Sequence, residues 1–227
     1  ITKMAEEAES LVQVAHRYDG DRVTFYEEDD KGCSDDDSLD SAVRSVRHPN
    51  RYCQILNYQI PNHSDLRAIY LWPPLTEFIR QVLNVEQLFL SQCPHLALTM
   101  KVAYEGDTDG WHYDPNDGVI TLVLQAADSG GEFEYAPNIR NNNDQNYAGV
   151  DRLFKSPDVE ATRPILEPGT FTFFNGRHSM HRVRPVGSTR QPRIVSIFSF
   201  DQRPDHFFAQ SYIDKLRRFP QGPPIVD

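Results

Sequence analysis

From residue 96 onward, the chain becomes a series of short runs rich in β-branched and aromatic residues, separated by Gly, Pro, Asn and Asp. Short strands with turn residues between them are typical of a compact antiparallel barrel or jelly roll. The runs occupy residues 96–104, 119–125, 131–135, 169–174 and 194–200. Residues 138–151 form a polar insertion between two of them, of the kind that in enzymes often covers the mouth of a barrel.

The first 95 residues have a different pattern of apolar residues, and we expect them to form a helical region that supports the barrel. Apolar residues at helical spacing predict helices over residues 4–16, 38–46 and 75–83. The acidic run at 27–37 has too little apolar content to fold alone, which favours a solvated loop over a metal-binding cluster. We predict a single domain over residues 1–227, with its β core at 96–204 and a C-terminal helix and tail at 205–227.

Charge and hydropathy limit the partners of this domain. The formal net charge of -10 disfavours nucleic acid, because a nucleic-acid-binding surface needs a basic stripe to neutralise phosphates. No run approaches the roughly 20 consecutive apolar residues that cross a bilayer, so we expect no membrane partner. Cys33, Cys53 and Cys93 are too few and too far apart for a disulfide framework or a thiolate zinc site. A cytoplasmic protein with a small-molecule substrate is the expectation.

Three residues are candidates for one metal site. His112 and Asp114 are two residues apart, so in an extended chain both side chains point to the same face. His181 is the third candidate, if it lies on a neighbouring strand. Two imidazoles and one carboxylate on one face leave the opposite coordination positions open, which is the arrangement of non-haem iron(II) oxygenases.

An arginine close to the last of the β runs is the other candidate functional residue. Arg193 directly precedes the apolar run at 194–200, whereas Arg190 lies in the polar turn before it. A buried guanidinium needs a carboxylate partner, which a dicarboxylic co-substrate would supply bidentately. We favour Arg193 as this anchor, with Arg190 as the alternative.

Several of these segments together resemble a known family. They are His112-Tyr113-Asp114, residues 122–125, 130–135 and 168–170, and residues 176–183 with the sequence GRHSMHRV. This set is similar to the iron(II)/2-oxoglutarate oxygenases, and within them to the free-standing amino-acid halogenases and their hydroxylating relatives. The resemblance covers about residues 104–204, and the segments 130–135 and 176–183 are its most specific part.

The resemblance implies a double-stranded β-helix, a cupin-like jelly roll with flanking helices. It also implies that His112, Asp114 and His181 bind iron(II), that 2-oxoglutarate and O2 are co-substrates, and that Arg193 holds the distal carboxylate of 2-oxoglutarate. Halogenases of this family have glycine or alanine where Asp114 stands here. The implied reaction is therefore hydroxylation of an unactivated carbon of a free amino acid or a derivative, with desaturation or ring closure as alternatives.

The same ligands also suit other proteins. One alternative is a cupin-type enzyme that has the same metal ligands but does not use 2-oxoglutarate, and such an enzyme would not need Arg193. A barrel that binds zinc or another ion only for its structure is the non-enzymatic alternative, since histidine and carboxylate are zinc ligands too.

Overall fold

A computed structural model describes residues 1–25, 38–114, 118–205 and 207–208. The acidic run at 27–37 and nearly all of the predicted C-terminal helix and tail lie outside this part of the chain. Within the described residues, no helix is long and apolar enough to cross a membrane.

The described residues contain ten strands, six α-helices and two short 3-10 helices. The strands are β1 His16–Val23, β2 Arg47–Ile55, β3 Phe89–Leu90, β4 Leu98–Ala103, β5 Thr108–His112, β6 Gly118–Gln125, β7 Phe133–Ala136, β8 Phe171–Phe173, β9 Met180–Val183 and β10 Arg193–Asp201. The helices are α1 Thr2–Leu11, α2 Ser38–Ser45, α3 Asp65–Tyr70, α4 Pro73–Leu83, α5 Tyr147–Lys155 and α6 Pro157–Glu160.

All strands join one antiparallel sheet in the order β7-β9-β5-β2-β4-β10-β6-β8, with β1 paired to β2 and β3 paired to β10. The sheet has two halves, β7-β9-β5 and β4-β10-β6-β8, and β2 joins them through its pairing with both β5 and β4. Side chains from both halves line the same cavity. This is the mainly β, jelly-roll architecture that the sequence predicted.

Side-chain alternation divides the β4-β10-β6-β8 half into two faces. Ile194, Phe198 and Phe200 of β10 belong to the apolar core, which includes residues of α1, α3 and α4. Val195 and Ile197 of the same strand line the cavity instead. Because β10 is buried on both faces, its sequence is a nearly continuous apolar run, as expected for a central strand.

Two predictions about the flanking segments were wrong in part. The described part of the first 95 residues contains four α-helices, but it also supplies β1, β2 and the short β3 to the sheet. β1 has four charged residues and a Gly, β2 has two Arg, a Pro and an Asn, and most of β1 is not fully buried, so the sequences of these two strands carry little apolar alternation. The segment 138–151 is also not a purely polar insertion, because α5 begins inside it at Tyr147. The predicted boundary at residue 151 cuts this helix between its two buried residues Val150 and Leu153.

Candidate metal centre

The two candidate histidines face each other across neighbouring strands. His112, the last residue of β5, pairs with His181 of β9 in the antiparallel register. Their ring centroids are 4.1 Å apart. Asp114 follows two residues later, and its Oδ1 lies 3.5 Å from His181 Nε2. One ligand atom from each of the three residues lies within 4.8 Å of the others.

Backbone carbonyls fix the orientation of both imidazoles. His112 Nδ1 lies 2.7 Å from the carbonyl oxygen of Gly110, and His181 Nδ1 lies 3.0 Å from that of Ser179. A carbonyl oxygen only accepts, so each Nδ1 carries the proton and donates it. Each Nε2 then keeps its lone pair for a metal ion, in the arrangement usual for histidine ligands.

The carboxylate of Asp114 is buried and incompletely bonded. Its Oδ2 is buried and has no hydrogen-bond partner among the residues that the structure describes. Although burial raises the pKa of this carboxyl, His181 and His112 lower it below its ordinary value overall. Burial lowers the pKa of His112 well below its ordinary value, which keeps this imidazole neutral. A buried carboxylate oxygen without a donor, next to two imidazoles that each donate from Nδ1, fits a divalent cation.

Gly176 provides the space that Asp114 occupies. The backbone N–H of Asp114 donates to the Gly176 carbonyl at 3.0 Å. A Cβ added at Gly176 would overlap Asp114 Oδ2 and would lie 2.7 Å from its Cγ. Glycine at position 176 therefore allows the backbone to lie directly against the Asp114 carboxylate, where any side chain would displace it.

We expect Gly176→Ala to weaken iron(II) binding by about 10- to 100-fold, because the new methyl group displaces the Asp114 carboxylate. An anaerobic competition titration with a chelator measures this change. Gly20→Ala is the matched control, since a Cβ at Gly20 meets no atom within 4 Å. Equal iron affinity for the two variants would contradict the role given to Gly176.

The two candidate arginines have different surroundings. Arg193 is 9% exposed and lines the same cavity as the three ligands. Burial lowers the pKa of its guanidinium to about 10, and no described acidic residue forms an ion pair with it. Arg190 is 91% exposed in its side chain and pairs with Asp128 at 3.0 Å. Arg193 alone of the two faces the candidate site.

The neighbours of the ligands follow the expected alternation. Trp111 and Tyr113 point away from the ligand atoms and lie in a second apolar cluster, which includes Val150 and Leu153 of α5. His178 hydrogen-bonds to Asn175 and Asn142 at 3.0 and 2.9 Å, and it is not among the grouped ligand atoms.

The sequence profile of the family described as Halogenase D matches residues 35–212, which is most of the chain. The chain belongs to the Halogenase D family. None of the curated proteins is similar enough in sequence to match it.

Solved structures of other proteins give a second comparison for this Halogenase D family member. It is similar to an oxidoreductase of the 2OG-Fe(II) oxygenase family from Burkholderia pseudomallei, at 13% identity and a TM-score of 0.50, with 88% of this chain and 79% of that chain covered. A prolyl-4-hydroxylase from Pseudomonas putida has 14% identity and a TM-score of 0.40, with coverages of 87% and 99%. The Burkholderia structure has the same fold.

Sequence reasoning missed one buried carboxylate beside the metal centre of this Halogenase D family member. Asp109 is 5% exposed and forms ion pairs with Lys101 at 2.5 Å and Arg22 at 2.8 Å. Its Oδ1 lies 3.7 Å from His112 Nδ1. Strict alternation along β5 would place Asp109 opposite to His112, but the register with β9 shifts between these two residues. That irregularity brings both side chains to the cavity.

Proposed function

We propose that this protein is an iron(II)- and 2-oxoglutarate-dependent hydroxylase of a free amino acid or a close derivative. His112, Asp114 and His181 would hold the iron, and Arg193 would hold 2-oxoglutarate. One observation carries the proposal: a buried two-histidine, one-carboxylate group and a buried, unpaired arginine line one cavity within the described residues.

The ligand set favours iron(II). Three protein ligands on one side leave coordination positions for a bidentate co-substrate and for O2. Iron(II) with 2-oxoglutarate and O2 supplies an oxidant strong enough to remove hydrogen from an unactivated carbon, while 2-oxoglutarate is converted to succinate and CO2. A structural zinc site would instead be closed by four protein ligands, whereas the described residues supply three.

Arg193 favours a dicarboxylic co-substrate. An unpaired guanidinium is costly to bury, and a carboxylate that accepts two of its N–H groups offsets that cost. Gly131 makes room for this side chain, since a Cβ there would lie 2.9 Å from Arg193 Cδ. A cupin-type enzyme without 2-oxoglutarate has no use for a cation held in this way.

Aromatic rings shield the candidate metal site from water. The rings of Phe174 and Phe133 lie 4.8 and 5.8 Å from the His181 ring, measured between centroids. Both phenylalanines line the cavity. An apolar wall at this place strengthens the charge interactions inside the cavity and keeps solvent away from reactive groups.

Asp114 favours hydroxylation over halogenation. A carboxylate ligand takes the coordination position that a halide needs, and halogenases of this kind have a small residue there. Desaturation and ring closure begin with the same removal of hydrogen. Succinate release from a panel of free amino acids, followed by mass analysis of the products, tests the substrate class and the outcome together.

Arg193→Leu is expected to keep its iron but to need at least about 30-fold more 2-oxoglutarate, since truncating one partner of a buried charge pair costs about 2–5 kcal/mol. An anaerobic titration of 2-oxoglutarate, followed by the visible charge-transfer band of the iron(II) complex, measures this requirement. Arg190→Leu is the matched control and should behave as the native protein does. The reverse result, a defect in Arg190→Leu alone, would move the anchor to Arg190.

A further inference from the structure

The space inside the barrel extends to both sides of His112 and Asp114. One cavity reaches Arg193 and Ala103, at one end of the barrel. A second space, here called the distal chamber, lies toward the other end of the same strands. The residues of the distal chamber that matter below are Gln54, Thr99, Lys101, Val119, Ile197 and Ser199. His112 and Asp114 line both spaces, so the metal centre lies at their junction.

Strand register explains why these side chains meet. Gln54 of β2 lies opposite Lys101 of β4, and Thr99 precedes Lys101 by two residues. Thr99 in turn lies opposite Ile197 of β10. Residues directly opposite each other, or two apart on one strand, point to the same face of a sheet. Gln54, Thr99 and Lys101 therefore form one continuous inner wall.

Two polar side chains of this wall line the chamber and form no hydrogen bond with the described residues. Gln54 is 7% exposed and Thr99 is 2% exposed. Neither the Gln54 amide nor the Thr99 hydroxyl has a hydrogen-bond partner among the described residues, whereas the hydroxyl of Ser199 donates to the Leu96 carbonyl at 2.9 Å. The polar atoms of Gln54 and Thr99 are not sealed inside the protein but are accessible from the chamber, so they can bond to a molecule in it. A ligand in the distal chamber would provide the missing partners.

The charge of the wall indicates the chemistry of that ligand. Lys101 and Arg22 line the distal chamber, and its only described acidic residue is the candidate metal ligand Asp114. Lys101 donates to Asp109, which leaves further N–H groups on its ammonium. The Gln54 amide and the Thr99 hydroxyl can both donate as well. Asp109 already pairs with both cations, so the remaining N–H groups of Lys101, the Gln54 amide and the Thr99 hydroxyl are the donors left for a ligand. Several donors on one wall suit a carboxylate.

We propose that Gln54 and Thr99 bind the carboxylate of the primary substrate in the distal chamber. This inference rests on the proposed function and assigns the two ends of the barrel to different molecules. 2-Oxoglutarate occupies the side of Arg193, and the substrate enters from the side of Gln54. The apolar side chains of Val119 and Ile197 then contact the aliphatic carbons of the substrate, which lie between its carboxylate and the metal centre.

The test uses the anaerobic iron(II)–2-oxoglutarate complex of the full chain. The twenty free amino acids are added one at a time, and each one that perturbs the charge-transfer band is compared with its primary amide. We expect at least one amino acid to perturb the band and its amide to require a much higher concentration. In Gln54→Leu and in Thr99→Val, the amino acid concentration that gives half of the maximal change in the charge-transfer band should rise by about tenfold or more. The reason is that each variant loses a hydrogen bond to the charged carboxylate. The 2-oxoglutarate requirement should not change.

Thr172→Val is the matched control, because the Thr172 hydroxyl is also buried without a partner but lines neither space. Thermal unfolding of the protein without ligands separates binding from structure. Gln54→Leu should not lower the Tm, since no intramolecular hydrogen bond is lost.

Any of three results would overturn the inference. They are a lower Tm for Gln54→Leu, an unchanged amino acid response in both variants, and an equal response of the native protein to the amino acid and its amide. A normal band in the native protein that no amino acid perturbs would overturn it while leaving the co-substrate assignment intact. Absence of the band itself would remove the proposed function as well.

Discussion

Purified His181→Ala protein is expected to contain almost no iron and to release no succinate above background. The side chain is one of three candidate metal ligands among the described residues, and its Nε2 lies 3.5 Å from Asp114 Oδ1. Two remaining ligands are too few to retain a labile divalent ion, so we expect the iron affinity to fall by more than about 100-fold. Metal analysis of the purified protein and an anaerobic iron titration measure the loss.

His178→Ala is the control for this experiment. It removes a histidine three residues earlier, whose ring hydrogen-bonds to Asn142 and Asn175 rather than facing the ligand group. This variant should keep its iron. Normal metal content together with full turnover in His181→Ala would exclude His181 from the metal site.

Asp114→Gly is expected to lose nearly all hydroxylation, by more than about 100-fold, and to give at most traces of a chlorinated product in high chloride. Removing the carboxylate opens a coordination position for halide, but it also removes the negative charge that balances the metal. A halide needs donors around it, and the substrate must lie nearer to the halide than to the hydroxyl group. One substitution does not supply these conditions.

Mass analysis of the products in high chloride tests the role of Asp114. The native enzyme is the comparison, and it should give only the hydroxylated product. A chlorinated main product from the native enzyme would show that Asp114 is not a ligand and that hydroxylation is the wrong reaction. Such a result would agree with the name of the Halogenase D family and not with the geometry of Asp114.

The β core and the ligand group could be predicted because their signals are local. Short runs of β-branched and other apolar residues between turn residues mark β4, β6 and β10, and the two-residue spacing of His112 and Asp114 is enough to place both on one face. The difference in surroundings between Arg193 and Arg190 needed the structure, because exposure and pairing with Asp128 depend on the fold.

Other features of the site have no local signal. Asp109 reaches the cavity only because the strand register shifts next to it. Gln54 lies in β2, a strand of mostly polar residues, and its burial depends on pairing with β4, which lies more than 40 residues away. Alternation within one segment does not report such long-range pairing.

The arrangement of the two halves of the sheet has a consequence for how the enzyme tolerates mutation. The candidate ligands His112 and His181 lie on β5 and β9, which hydrogen-bond directly to each other. Arg193 begins β10, and β2 and β4 lie between it and β5. We expect substitutions in β2 to change the distance between the candidate metal ligands and the Arg193 guanidinium while leaving the pairing of β5 with β9 intact. Evolution could therefore adjust the length of the accepted co-substrate separately from metal affinity.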